Sequence, residues 1–169
     1  MDKIIGLGNA LVDVLATLKD DTLLDEMGLP KGSMQLIDDA KLQQINERFS
    51  QMKTHLATGG AAANTILGLA CLGAGTGFIG KIGNDYDSAM IYDTLRKEQV
   101  LSQGLRRDPN SITGKAYIFV GKDAESCITL LPGANQNLKP EDILSKEYLM
   151  EGCGYCLIST EIPEETYIQ

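Results

Sequence analysis

The sequence ATGGAAANTILGLACLGAGTGFIGKIGNDYDS, residues 57–88, is rich in glycine and alanine and has Asn64 inside an apolar helical pattern. Glycine bares the backbone where a ligand or a neighbouring strand must approach closely. Two roles fit Asn64: it caps a helix, or its amide donates to one ligand hydroxyl and accepts from another. In the second case, backbone amides at Gly59 and Gly60 contact the same ligand.

Strand and helix patterns alternate on either side of this stretch. Alternating or β-branched residues predict strands, and apolar residues three or four apart predict helices. The predicted strands are two within 2–18, joined by a glycine turn, and 34–38, 75–83, 112–120, 126–131 and 154–160. The predicted helices are 39–53, 64–72 ending at Gly73, 89–99 capped by Asp87 and Ser88, 139–149, and one with Pro163 in its first turn. Residues 19–33 are predicted to be a polar loop.

The order of these elements predicts an α/β fold. Strand–helix–strand repetition is typical of a sandwich built on a mostly parallel sheet. The hairpin and the short alternating strands do not fit that sheet, so they predict a small separate β-sheet. The chain stops just inside a helix with no following strand, which would leave a sheet edge open. We therefore expect residues 1–169 to be the N-terminal part of a longer protein.

The composition predicts a globular protein with an acidic surface. The chain has 169 residues, of which 43% are hydrophobic and 22% charged, and its net charge is −8. Nucleic acids and anionic membranes need a cationic face, so we expect neither as a partner. No apolar run approaches the ~20 residues that span a bilayer, and the N-terminus has no signal-peptide pattern. We expect a cytoplasmic protein.

The cysteines and the single histidine give weak support for metal or redox chemistry. Cys153 and Cys156 form one CxxC motif, and His55 is the only histidine. A structural zinc site needs four ligands, so we expect no metal site. We expect Cys156 to open a strand, Cys153 to lie in the turn before it, and His55 to be a surface or packing residue. A redox pair of the two cysteines remains a third hypothesis for function.

Asn9 and Asp13 are further candidates for ligand binding. Both lie in GNALVD, at a turn and the start of a strand. The overlapping GLGNAL is not a dinucleotide-binding motif, because it lacks the third glycine and the following helix. Asp13 is either a turn or outward-facing strand residue, or a carboxylate that accepts bonds from ligand hydroxyls. Together with Asn64, these groups suit a polyhydroxylated small molecule, whereas an anionic substrate would call for Arg or Lys.

The segment GGAAANTILGLACLGAGTGFIGKIGND, residues 59–85, resembles the first signature of the ribokinase-like, pfkB family of carbohydrate and nucleoside kinases. The matching residues are Gly59, Gly60, Ala62, Asn64, Gly73 and Gly83. Ile66 departs from the Ser, Thr or Ala that is usual there. LPGANQNLKPEDI (131–143) and LISTEIPEET (157–166) are similar to ribokinase segments. GNALVD has the asparagine-to-aspartate spacing of adenosine-kinase-like members.

The resemblance implies a ribokinase-like three-layer α/β sandwich with a β-sheet lid, whose strands would lie within about 11–18, 33–38 and 113–131. It implies transfer of the γ-phosphoryl group of ATP, with Mg²⁺, to a hydroxyl of an adenosine- or ribose-like substrate. The substrate-binding residues carried over from the family are Asn9, Asp13, Gly59, Gly60, Asn64 and Glu161. A homodimer through the lid edge is also expected from the family.

The catalytic part of the family's site is not expected within this chain. In the family, the base is an aspartate in a Gly-Ala-Gly-Asp stretch whose helix N-terminus forms the anion hole. That stretch is absent from residues 1–169. We therefore expect no catalytic residue here, and ATP and Mg²⁺ to be bound mostly by residues outside the chain. The alternative, if the natural chain ends at Gln169, is a non-catalytic sugar- or nucleoside-binding module.

Overall fold

A computed structural model describes residues 2–167, apart from the side chain of residue 39. The strands are β1 Lys3–Leu7, β2 Leu11–Thr17, β3 Met34–Leu36, β4 Thr54–Gly59, β5 Thr76–Ile82, β6 Leu101–Arg107, β7 Gly114–Val120, β8 Ser126–Leu131 and β9 Cys153–Ile158. The helices are α1 Thr22–Met27, α2 Asp39–Phe49, α3 Ala61–Cys71, α4 Tyr86–Lys97, α5 Pro140–Leu144 and α6 Glu164–Tyr167, with 3₁₀ turns at Gly133–Asn137 and Glu147–Met150. None of the described helices is both long and apolar enough to cross a membrane.

The chain divides into two compact units. The first unit comprises the residues up to Val12, Thr58–Gly114 and the residues from Gly133 onward. The second unit comprises Asp13–Ala57 and Lys115–Pro132. The fold-class prediction is confirmed, because one sheet is parallel and a second, separate sheet is mixed.

The first unit is built on a parallel sheet with strand order β6-β5-β1-β9. Side chains alternate between its faces, because successive residues of a strand point in opposite directions. Ile5, Leu7 and Ile79 pack on one face with apolar residues of the 138–162 segment. On the other face Gly6 lies against Ile66 of α3, where an added Cβ would collide.

The second unit is a five-stranded sheet with order β3-β8-β7-β2-β4. β7 and β8 form the antiparallel hairpin that the sequence predicted, and β3 joins β8 in parallel. Helix α2 packs through Phe49, which makes edge-to-face contacts with Tyr117 and Phe119 at centroid distances of 5.2 and 4.9 Å. The Tyr117 hydroxyl donates to Asn46 Oδ1 of the same helix at 2.8 Å. These contacts anchor the helix to the hairpin.

Several elements differ from those predicted. Residues 22–27 form α1 rather than a loop. Gly28, which lies within the predicted loop, has φ 61° and ends this helix. β6 was missed because two of its three buried residues are Ser102 and Gly104, beside Leu105, and β4 because only its last residue, Gly59, is buried. The predicted helix 139–149 breaks into α5 and a 3₁₀ turn.

Two further corrections concern element ends. Helix α4 is capped by Asp85, whose side chain accepts from the Ser88 amide at 3.0 Å, rather than by Asp87 and Ser88. Cys153 begins β9 instead of lying in the turn before it. The last helix begins at Glu164, just after Pro163, and the rest of the predicted helix, residues 168–169, lies outside the described residues.

Candidate functional site

The parallel sheet has a point where the chain changes direction across it. From β1 the chain moves to β5 and then β6 on one side, and later returns to β9 on the other side of β1. In open α/β sheets, ligands bind beyond the carboxyl ends of the strands at such a switch point. Here that position is formed by the residues after Leu7 and Ile158, including Asn9 and Glu161.

Asn9 is held at this switch point with an unused acceptor. Its side chain is 4% exposed, and its Nδ2 donates a long hydrogen bond of 3.5 Å to the Glu161 carbonyl oxygen. Its Oδ1 has no partner among the described residues. A buried polar atom without a partner destabilises a protein by about 1–3 kcal/mol, so such atoms occur where a ligand or water supplies the missing bond.

The Gly59–Gly60 turn lies directly against Asn9. Gly59 is the buried last residue of β4. Gly60 precedes α3 with φ 102°, in the region that favours glycine, and an added Cβ would collide with the Asn9 carbonyl oxygen. The close approach inferred from the glycines therefore joins this turn to the segment after β1.

Asn64 lies on α3 with an exposed side chain. The helix begins at Ala61, and the cap position is Gly60. The Gly60 carbonyl oxygen accepts a hydrogen bond from the backbone N–H of Asn64 at 2.9 Å. The interpretation of Asn64 as a helix cap was therefore wrong. Its side-chain amide, one turn beyond Gly60, stays a candidate for binding.

Glu161 lies in the loop after β9, beside a small cavity. The cavity has a volume of about 270 Å³ and is lined by Ala61, Ala62 and Thr65 of α3 and by residues 157–161. The Ser159 hydroxyl donates to Glu161 Oε2 at 3.4 Å. The cavity combines a carboxylate and hydroxyl groups with a helix face that carries small side chains. Its volume is just below that of typical small-molecule pockets, about 300–1,000 Å³.

Asp13 belongs to the second unit, where it lies in β2. Val12, Val14 and Ala16 are buried on one face of that strand, so Asp13 lies on the opposite face and is half-buried. Burial raises the pKa of its carboxyl above the ordinary value of 3.8. A carboxylate that is partly removed from water gains more from a hydrogen-bond donor than a fully solvated one does.

Asn135 is a residue that the sequence reasoning did not single out. It is 2% exposed, and its side chain forms two hydrogen bonds with the backbone of Ala10, the residue after Asn9. The one available signal was the Gly-Ala-Asn turn within residues 131–143. A contact between positions so far apart in the chain leaves no local pattern.

The cysteines and His55 add little to the site. All four cysteines have free thiols. Burial, and to a lesser extent Cys153, raise the pKa of the Cys156 thiol, which disfavours the reactive thiolate. His55 is exposed on β4, as expected of a surface residue.

The chain belongs to the pfkB family of carbohydrate kinases, whose family model matches residues 33–169. It is 31% identical to the ribokinase of Bacillus subtilis over 108 residues, which cover 64% of this chain and 36% of that protein. It is 41% identical to the probable fructokinase-7 of Arabidopsis thaliana over 69 residues, covering 41% of this chain and 20% of that protein. Its structure is similar to the adenosine kinase of Sinorhizobium meliloti, with a TM-score of 0.79 and 28% identity over 93% of this chain and 46% of that one. The chain thus spans about a third or less of these curated relatives and about half of the solved structure.

Kinases of this family use ATP. Among residues 2–167, no three His, Cys, Asp or Glu side chains are placed to hold a metal ion together. The sequence also has no Gly-Ala-Gly-Asp stretch. That stretch carries the base and the anion hole that the resemblance implies, so no phosphoryl-transfer step is assigned to residues of this chain.

Proposed function

We propose that this chain forms the substrate-binding side of a small-molecule kinase that transfers the γ-phosphoryl group of ATP to a hydroxyl of a sugar or nucleoside. The proposal rests on the side-chain oxygen of Asn9. Its buried Oδ1 has no partner, and it lies at the switch point of the sheet against the Gly59–Gly60 turn. An orphan acceptor of this kind suits a ligand hydroxyl, which is a donor.

In this proposal the amides of Asn9 and Asn64 and the carboxylate of Asp13 hold substrate hydroxyls. The backbone of Gly59 and Gly60 contacts the ligand, and Glu161, in the loop after β9, contacts its sugar. Ribokinase, fructokinase and adenosine kinase are the names of the similar proteins. Ribose, fructose and adenosine are therefore the ligands to test.

Titration calorimetry of the 169-residue chain with adenosine, ribose and fructose tests this proposal. A charge-assisted hydrogen bond contributes ~1.5–3 kcal/mol, so Asp13→Ala is expected to weaken binding roughly 10- to 150-fold. A neutral bond contributes about 1 kcal/mol, so Asn9→Ala is expected to weaken it about fivefold. Asn110→Ala, an exposed asparagine after the edge strand β6, serves as the control and should bind as the unchanged chain does.

Absence of binding to all three ligands, or equal binding by the Asp13, Asn9 and Asn110 variants, would overturn the assignment of the site. The kinase hypothesis and the hypothesis of a non-catalytic binding module both require ligand binding. They differ in the coding DNA beyond the Gln169 codon, where the kinase requires an open frame that encodes Gly-Ala-Gly-Asp after a strand. A stop codon there would favour the binding module.

A further inference from the structure

Asn135 and Ala10 are joined by a pair of buried hydrogen bonds. The Ala10 amide donates to Asn135 Oδ1 at 2.8 Å, and Asn135 Nδ2 donates to the Ala10 carbonyl oxygen at 3.0 Å. Ala10 is itself fully buried. One side chain thus satisfies both backbone polar groups of one residue, as a neighbouring strand would.

The position of Ala10 explains why such a side chain is needed. Ala10 lies between β1 and β2, outside the ladder of either strand. Its buried amide and carbonyl groups would otherwise lack partners, which is unfavourable. A carboxamide offers a donor and an acceptor side by side, and asparagine is the shortest side chain that carries one.

The backbone around Asn135 is fixed as well. Gly133 has φ 55°, and an added Cβ would contact Ile112 and Gly114. The Ala134 amide donates to the Ile112 carbonyl oxygen at 2.8 Å. The 3₁₀ turn that carries Asn135 is therefore anchored to the segment before β7, and it can hold Ala10 in one place.

We propose that Asn135 is a positioning residue of the substrate site. By clamping the peptide of Ala10, it holds the preceding Asn9, with its partnerless Oδ1, at the switch point. The inference rests on the proposed function for its effect on ligand binding. The effect on the turn itself is independent of any ligand.

The test compares Asn135→Ala and Asn135→Asp with Thr166→Val in the 169-residue chain. Asn135→Ala removes both bonds, and Asn135→Asp keeps an acceptor but loses the donor. Thr166→Val is the matched control, because the Thr166 hydroxyl makes a buried bond to the Leu138 carbonyl oxygen at 2.7 Å in the same unit. Affinity for adenosine, ribose and fructose is measured well below the melting temperature, where a residue that only adds stability does not change the dissociation constant. Amide hydrogen exchange of residues 8–12 is measured without ligand.

We expect slow exchange of the Ala10 amide in the unchanged chain and at least tenfold faster exchange in Asn135→Ala, which removes the acceptor of this amide. Asn135→Asp keeps an acceptor there, so its exchange should be slower than that of Asn135→Ala. We also expect an affinity loss of about tenfold, equivalent to ~1.4 kcal/mol, in the Asn135 variants alone. Faster exchange in Asn135→Ala, with no ligand bound even by the unchanged chain, would sustain the clamp and overturn the proposed function. Unchanged affinity in folded Asn135 variants, or an equal loss in Thr166→Val, would overturn the positioning role. Rapid exchange of Ala10 in the unchanged chain would overturn the clamp even if neither variant folds.

Discussion

Adding a methyl group at Gly60, before α3, is expected to affect stability differently from adding one at Gly68, within α3, because the surroundings of the two residues differ. Gly60 has φ 102°, and its added Cβ would collide with the Asn9 carbonyl oxygen. Gly68 is a helical residue outside the set of positive-φ glycines, and its added Cβ would have no atom within 4 Å. The same substitution therefore has opposite effects at the two positions.

Gly60→Ala is expected to lower the free energy of unfolding by about 1–3 kcal/mol, through backbone strain and displacement of Asn9. Gly68→Ala is expected to raise it by about 0.5–1 kcal/mol, because alanine loses less backbone entropy in a helix. Urea denaturation measures both. Equal stability of the two variants would mean that Gly60 is not constrained as the structure indicates.

The Asp13 carboxyl links binding to stability through its pKa. Burial raises that pKa above 3.8, so the folded state binds its proton more tightly than the unfolded chain does. The ionised carboxylate therefore opposes folding at neutral pH. This opposition fades as the pH falls through the raised pKa and vanishes below the unfolded value of about 3.9.

Asp13→Asn is accordingly expected to be more stable than the unchanged chain at pH 7, and the two stabilities should converge near pH 4. The same variant should bind substrate hydroxyls more weakly, because the charge-assisted bond is lost. Thermal unfolding from pH 4 to 8 measures the first effect and calorimetry the second. A stability difference that grows towards acid pH would have the wrong sign for this mechanism.

Among the elements, α4 and α2 begin with the same chemistry in different surroundings. Both N-caps are aspartates, Asp85 and Asp38, and each accepts from a backbone amide of the first turn, at 3.0 and 2.8 Å. Asp85 also accepts from the amide and hydroxyl of buried Thr113, at 2.7 and 2.6 Å. The Asp85 cap therefore also ties α4 to the segment that leads into β7.

Asp85→Ala is expected to lower the free energy of unfolding by about 2–4 kcal/mol, because it removes a cap and leaves Thr113 donors without their partner. Asp38→Ala removes a cap alone and should lower it by about 1 kcal/mol. Chemical denaturation of both variants checks the difference. If Asp38→Ala proves equally damaging, the Thr113 bonds contribute nothing measurable.

Elements with regular apolar patterns could be predicted from the sequence, whereas others depended on packing. Helix α2 and the β7–β8 hairpin follow local periodicity, so both were predicted. β6 was not, because its inward residues include Gly104, where a larger side chain would collide with the backbone of β5. Its sequence therefore lacks the apolar alternation on which strand prediction depends.

The site shows the same division between local and distant information. The Gly59–Gly60 turn and Asn9 stand out because bare backbone and a polar residue in apolar surroundings are visible over a few residues. Asn135 could not be recognised, because its partner Ala10 is brought to it only by the completed sheet. Asn64 was correctly placed on a helix, but the cap position shifted to Gly60, since glycine with φ 102° can begin the helix there.

At the scale of the molecule, most of the carboxyl groups whose pKa is shifted have a lowered pKa, so they stay ionised to lower pH. Asp20, Asp108, Asp123 and Asp142 have lowered pKa values. Carboxylates of this kind stabilise the fold above the unfolded pKa, and the contribution is lost as the pH falls through the lower folded value. Asp13 acts in the opposite direction. The four lowered groups predict a net loss of stability below about pH 4.

Asp142 contributes most clearly, because it is the least exposed of the ion-paired carboxylates. Burial alone would raise its pKa, but hydrogen bonds from Lys81 Nζ at 2.6 Å and from the Lys139 amide at 3.0 Å outweigh burial and lower it. The side chains of Lys81 and Asp142 are 12% and 13% exposed, and Lys81 also donates to the Asn137 carbonyl oxygen. The pair joins β5 of the parallel sheet to α5.

Lys81→Met leaves the Asp142 charge mostly buried without its main partner, so we expect a loss of about 2 kcal/mol at pH 7, less than for a fully buried pair. Arg106→Met removes a second cation from the same carboxylate, but that side chain is 44% exposed and its bond is 3.4 Å long. Its loss should be below about 0.5 kcal/mol. Because protonation of Asp142 removes the charge that Lys81 compensates, the deficit of Lys81→Met should shrink as the pH falls below about 4. Denaturation of the three proteins at pH 7 and pH 3.5 measures this, and a deficit that is independent of pH would assign the role of Lys81 to packing rather than to its charge.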